Sequence, residues 1–148
     1  MTNKTMLIVD DDREFAEAIA LRCRSIGFDV ETACSPLAAV VSMTAHPPDL
    51  LCLDVHMPTG NGLDFCEFVV RERKGPLLPV IILTGQTDRE TIYRSIDLYT
   101  RYVHKSTNLW NDLQAAIEEL LPSDCRRTVD SVMNVGDSPT VANKVFYD

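Results

Sequence analysis

The sequence predicts an α/β fold in which a parallel β-sheet is covered by helices on both faces, and three observations predict it. Short apolar runs at Met6 to Val9, Leu50 to Leu53, Val80 to Leu83 and Tyr102 to His104 have the length and composition of strands buried on both sides. Between them lie stretches whose apolar residues recur at helical spacing and which end at glycine or proline. Strand and helix alternating through short connections lead to right-handed crossovers, and hence to strands that run parallel in one sheet.

Taken in order, the first strand is expected at about Thr5 to Val9. Asp12 is placed to cap a first helix, Phe15, Ile19, Arg22 and Ile26 fall along one stripe of it, and Gly27 stops it. A second strand at about Phe28 to Ala33 precedes a helix from Pro36 to about Ala45, after which Pro47 and Pro48 force an extended connection into the third strand. A third helix follows Gly62, with Leu63, Cys66 and Val69 or Val70 inward, and Gly75 and Pro76 break it. The fourth strand leads through the polar loop Gly85 to Asp88 into a helix reaching about Leu98, and the fifth strand ends at His104. Asn108 is placed to cap a last helix in which Leu109, Leu113, Ala116, Ile117 and Leu120 share a face, with Pro122 just beyond.

The chain of 148 residues, 45% apolar and 24% charged, has the balance of one globular domain with a sizeable core. A net charge of -8 and the absence of any basic run argue against a nucleic-acid partner, which needs concentrated Lys and Arg. The first apolar stretch runs straight into three aspartates, too short for a signal peptide, and no stretch approaches membrane-spanning length, so a cytoplasmic protein is expected. Cys23, Cys34, Cys52, Cys66 and Cys125 are odd in number, widely spaced and without CxxC pairs, which reads as reduced, mostly buried thiols.

The polar residues that stand at the ends of the apolar runs carry the chemistry. They are Asp10, Asp11 and Asp12, then Asp54, Thr84 and Lys105. Ligands of open parallel sheets bind in the crevice outside the carboxyl ends of the strands, so these groups point to one shared site. Three carboxylates, a hydroxyl and an ammonium suit a divalent cation plus a phosphoryl group. A carboxylate that attacks a phosphoryl donor approaches a group of about two negative charges, and neighbouring aspartates worsen that repulsion unless a cation offsets it. Mg²⁺, a hard cation with a preference for carboxylate, phosphate and water oxygen, meets the requirement.

Val9 with Asp10, Asp11 and Asp12, Asp54 followed by Met57, Pro58 and Gly62, Leu83 with Thr84, and Tyr102 to Lys105 resemble, in order and spacing, the receiver domain of two-component response regulators. The resemblance spans roughly residues 4 to 121. It implies a doubly wound, flavodoxin-like fold with five helices and a five-stranded parallel sheet in the order 2-1-3-4-5, an arrangement that sets Asp11 beside Asp54. It also implies roles. Asp54 is the phosphoacceptor; Asp11, Asp54 and the backbone carbonyl of His56 hold Mg²⁺ directly; Asp10 acts mostly through water. Lys105 pairs with Asp54 at rest and with the phosphoryl group afterwards, and the Thr84 hydroxyl donates to another phosphoryl oxygen. Tyr102 is the aromatic that turns inward when Thr84 is drawn to that group, although a strand tyrosine is also ordinary packing. The His56 side chain stands where the family varies and can donate toward the phosphoryl site or face solvent. His46 and His104 read as surface or strand residues.

Ser106 departs from the family, which usually has proline after the lysine, often through a cis bond. A cis Lys-Ser bond costs ~3–4 kcal/mol, so the ammonium is expected to be aimed differently. Leu98 to Arg101 replaces the usual Gly-Ala turn before the fifth strand, on the surface through which receivers usually signal.

The expected organisation is a receiver domain at 1–121 and a C-terminal extension at 122–148 without a recognisable output domain. The extension's 27 residues, with three basic and four acidic side chains, are too few for a winged helix or helix-turn-helix. Val129, Val132 and Met133 can share a helical face, and Val141 to Tyr147 ends in an apolar cluster, so the extension either stays disordered or docks on the receiver or a partner. The function expected is that of a stand-alone response regulator, a signalling module rather than an enzyme. It takes a phosphoryl group from a histidine kinase or histidine phosphotransfer protein and signals by contact with a downstream protein, without DNA or membrane insertion and with a homodimer left open. Two other classes fit part of the pattern. One is a degenerate receiver that serves as a constitutive interaction module, favoured by Ser106 and the unusual approach to the fifth strand. The other is a small Mg-dependent aspartyl phosphatase of the haloacid dehalogenase type, whose Asp-x-Asp-x-Thr is unlike Asp54 followed by Val55, His56 and Met57.

Overall fold

Strand alternation divides the hydrophobic residues of this chain between two faces of one sheet. A computed structural model describes residues 3–57, 60, 61, 64, 65, 68, 69, 78–85 and 100–122. Five parallel strands, β1 (Thr5–Val9), β2 (Asp29–Ala33), β3 (Leu50–Asp54), β4 (Val80–Thr84) and β5 (Thr100–His104), lie in the order β2-β1-β3-β4-β5. Met6, Ile8, Leu50, Cys52, Ile81 and Leu83 enter one core layer, and Leu7, Val9, Leu51, Leu53, Val80 and Ile82 enter the other. Both faces are therefore dry, as the unbroken apolar runs require.

The first layer is closed by α1 (Arg13–Ser25) and α3 (Leu109–Leu120), which bury Ala16, Ile19, Ala20 and Cys23 on one helix and Leu113, Ala116 and Ile117 on the other. The second is closed by α2 (Pro36–Ala45) and by helical residues 64, 65, 68 and 69, of which Phe65 and Val69 are buried. Helices on both faces make the sheet doubly wound, in agreement with the sequence. A two-residue antiparallel ladder joins His56–Met57 to Gly60–Asn61. The rest of the expected third helix, including Leu63, Cys66 and Val70, the whole expected fourth helix and the extension beyond Pro122 lie outside the described residues.

The structure differs from the sequence pattern at several helix positions. The buried stripe of α1 runs through Ala16, Ile19, Ala20 and Cys23, so Phe15 and Ile26 flank it and Arg22 leaves it to lay its guanidinium 5.4 Å from the Trp110 ring centroid. Ile26 is the C-cap of α1, and Gly27 follows with φ 104°, a left-handed conformation that favours glycine. Asn108 occupies the N-cap position of α3 without capping it by its side chain: at φ -97° and ψ 14° its backbone is not extended. The Asn108 side chain instead donates to Asp112 at 3.0 Å and accepts from Asn111 at 2.9 Å.

Candidate functional site

Parallel pairing puts the carboxyl ends of β1, β3, β4 and β5 at one edge. Val9 is level with Leu53 and Leu53 with Ile82, so the residue after β1, Asp10, stands beside Asp54 at the end of β3. Thr84 ends β4 opposite His104, and the Thr84 carbonyl accepts from the Lys105 amide at 2.8 Å, which fixes the base of the lysine. His104 Nε2 lies 3.3 Å from the Gly85 carbonyl.

The acidic run divides its work by position. Asp10 is 1% exposed, and its Oδ1 accepts from the Asp12 amide at 2.9 Å. Asp12 faces solvent and caps α1 by accepting from the Phe15 amide at 3.1 Å, as its sequence position indicates. Asp11 is exposed at the rim, while Asp54 is 5% exposed and Thr84 is buried. Lys105 Nζ donates to Asp10 Oδ2 at 2.8 Å and lies 3.6 Å from Asp54 Oδ1, so its closer carboxylate is Asp10 rather than the expected Asp54. No cis peptide occurs among the described residues, so the Lys105–Ser106 bond is trans. Ser106 accepts through Oγ from the Asn108 amide at 3.2 Å and through its carbonyl from the Leu109 amide at 3.1 Å. Tyr102 is half-buried on β5, level with Ile82.

The donor set fits a hard divalent cation. One oxygen each of Asp10, Asp11 and Asp54 lies within 4.8 Å of the other two. Octahedral Mg²⁺ with oxygens at ~2.0–2.1 Å sets neighbouring oxygens ~2.9 Å and opposite ones ~4.1 Å apart, the same range as the spread of the three carboxylate oxygens. Three carboxylates against one ammonium leave the cluster with surplus negative charge for such an ion to offset. His56 follows Asp54 by two residues and begins the two-residue ladder.

Sequence spacing assigns Phe15 only to the helix stripe, but its ring centroid lies 4.4 Å from Lys105 Nζ. The spacing of 90 residues hides that contact, and the acidic run five residues before Phe15 is the signal that places it near the site.

Residues 6–118 match the family model described as the response regulator receiver domain. Among curated proteins, the DNA-binding response regulator MtrA of Mycobacterium tuberculosis is 36% identical over 83 residues, which are 56% of this chain and 35% of that one. The photosynthetic apparatus regulatory protein RegA of Cereibacter sphaeroides is 37% identical over 83 residues, 56% of this chain and 44% of that one. The match thus spans less than half the length of either relative. Relatives named as DNA-binding lend no support to the expectation that DNA is not a partner. Among solved structures, the response regulator TrrA of Thermotoga maritima in complex with Mg(2+)-BeF is 26% identical with a TM-score of 0.70, covering 80% of this chain and 99% of that one. The non-phosphorylated HemR receiver domain of Leptospira biflexa is 26% identical with a TM-score of 0.71, covering 79% and 93%. No helix among the described residues is long and apolar enough to cross a membrane.

Proposed function

The chain belongs to the response regulator receiver domain family of two-component signalling, and we propose that its crevice accepts a phosphoryl group on Asp54 from a phosphohistidine donor. The observation that carries this reading is the convergence of Asp10, Asp11 and Asp54 with Lys105 at the end of the sheet. On this reading an Asp54 oxygen forms the new O–P bond as the donor's P–N bond breaks, and the electron pair leaves with the imidazole nitrogen, which takes up a proton. Asp10, Asp11, Asp54 and the His56 carbonyl would hold Mg²⁺, whose contribution is to offset charge between nucleophile and phosphoryl group. Lys105, already 3.6 Å from Asp54, neutralises a phosphoryl oxygen, and Thr84 donates its hydroxyl proton to another. Tyr102, two residues before the end of β5, is the proposed reporter of that change to the surface.

The donor is a histidine kinase or histidine phosphotransfer protein, and the output is contact with a downstream protein, from a cytoplasmic location. Residues 1–121 form the receiver in this proposal and 122–148 an extension to it. Receivers are signalling modules, so the chemistry is limited to self-phosphotransfer and hydrolysis of its product. The proximity of Lys105 to Asp54 despite Ser106 favours this reading over a degenerate receiver.

Acetyl phosphate with Mg²⁺ tests it by intact mass. The wild type is expected to gain one phosphoryl group as the P–O bond to acetate breaks, and Asp54→Asn none, because the amide is a poor nucleophile. A wild type left unmodified under conditions that label another receiver would turn the assignment to the degenerate module.

A further inference from the structure

We propose that Phe15 is a positioning residue for Lys105: its ring face holds the ammonium in the crevice and so sets the rate of phosphoryl transfer to Asp54. The proposal rests on the phosphoacceptor reading above and goes beyond it, to a residue of α1 that neither binds metal nor touches phosphorus.

The geometry begins with the stem. The Lys105 amide is tied to the Thr84 carbonyl at 2.8 Å, but a four-carbon side chain separates that anchor from Nζ. At the tip, Nζ is 2.8 Å from Asp10, 3.6 Å from Asp54 and 4.4 Å from the centroid of the Phe15 ring. The ring distance is well inside the ~6 Å limit for attraction between a cation and an aromatic face. Phe15 is itself fixed. Its amide donates to Asp12 Oδ1 at 3.1 Å, and its side chain packs against the buried layer beneath α1 and α3. The acidic run thus supplies Asp10 as a direct partner of the ammonium and Asp12 as the cap that holds the ring carrying it.

A ring suits this task for a specific reason. An ammonium has three N–H donors, and a π face attracts the charge without competing for them as a carboxylate oxygen does. The donors remain for Asp10, Asp54 and an incoming phosphoryl oxygen. An acidic residue at position 15 would instead pull the ammonium away from Asp54 and add negative charge to a site that must admit a phosphoryl group. An aliphatic one would leave the ammonium to be steered by Asp10 and Asp54 alone.

The test replaces Phe15 in the full chain with mono-, di- and trifluorophenylalanine, which weaken the ring's negative face stepwise with little change in shape. The readouts are the initial rate of labelling by acetyl phosphate with Mg²⁺, by intact mass, and the thermal midpoint. The expected result is a graded fall reaching about threefold, the size of a partly exposed cation–π contact, with an unchanged midpoint, a similar loss for Phe15→Leu and recovery in Phe15→Trp. In a Lys105→Met background the residual rate should be indifferent to fluorination. A flat series in the wild-type background, or a slope that persists without the ammonium, overturns the proposal. An unfluorinated chain that takes no phosphoryl group overturns the phosphoacceptor reading, and this proposal with it.

Discussion

The two sides of the crevice are built differently. On the side of β1 and β3, Asp10 and Asp54 are short side chains within a residue of their strand ends, so the pairing of Val9 with Leu53 places their carboxylates with little freedom left. On the side of β4 and β5, the Thr84 carbonyl fixes the Lys105 backbone, but the ammonium takes its position from Asp10 on β1, Asp54 on β3 and Phe15 on α1. Register alone locates a carboxylate; a long side chain is located by its tertiary partners. The acidic side is therefore robust to changes elsewhere in the fold, and the basic side is open to tuning.

The largest effect that separates the two sides is on metal affinity. Asp11→Ala and Asp54→Ala each remove a proposed ligand oxygen and should weaken Mg²⁺ binding more than about tenfold, or over ~1.4 kcal/mol. Lys105→Ala removes a cation that competes for Asp10 and Asp54, so its Mg²⁺ affinity should equal or exceed that of the wild type. Calorimetry, or a titration of Trp110 fluorescence, measures both. Weaker binding in Lys105→Ala than in Asp11→Ala would show that the ammonium organises the acidic side and that the two sides are not separate.

The same distinction explains what the sequence disclosed. The five strands, the span of α2, Asp12 as a cap and the neighbourhood of Asp10, Asp11, Asp54 and Lys105 all follow from local pattern plus parallel pairing. Helical spacing puts Arg22 on the buried stripe because it does not tell a border from a centre, whereas the guanidinium lies over Trp110 on another helix. Asn108 has the right residue type and position for a cap, but its backbone dihedrals turn the side chain toward Asn111 and Asp112. The contact of Phe15 with Lys105 is not legible in the chain for the reason that makes the basic side tunable: nothing near Lys105 in sequence names what its tip will meet.

The acidic side also rests on a dry base, which alkaline pH should expose. Cys52 lies on β3 two residues before Asp54, and Cys23 lies on α1 in the same buried layer. Burial pushes the Cys23 thiol up from 9.0 to about 12, partly countered by Arg24, and burial followed by the neighbouring Cys23 pushes Cys52 well up. The sign follows directly: above pH ~9 the unfolded chain has lost these protons while the folded chain keeps them, so unfolding releases protons and stability falls with rising pH. Each thiol contributes at most ~1.4 kcal/mol per pH unit, starting near pH 9 and, for Cys23, ending near 12. Urea unfolding between pH 8 and 11 should show this slope, and Cys23→Ala should reduce it after its constant packing cost is subtracted. An unchanged slope would mean that the thiol is not kept protonated by the fold.

The smallest effect concerns the two helix starts that flank the crevice. Asp12 caps α1 through its carboxylate and so supports the first turn that carries Phe15, whereas Asn108 begins α3 without a side-chain cap. Asp12→Ala should cost ~1 kcal/mol, the usual value of a side-chain N-cap. Asn108→Ala should cost only a few tenths, because it gives up exposed side-chain hydrogen bonds to Asn111 and Asp112 and leaves the α3 backbone donors as they were. Paired urea unfolding curves at neutral pH resolve the difference if the slopes are equal. If Asp12→Ala also slows labelling by acetyl phosphate about as much as Phe15→Leu, the cap acts on the site through the ring it holds. If the stability cost appears with no change in rate, the first turn of α1 keeps Phe15 in place through packing alone, and the Asp12 cap does not steer Lys105.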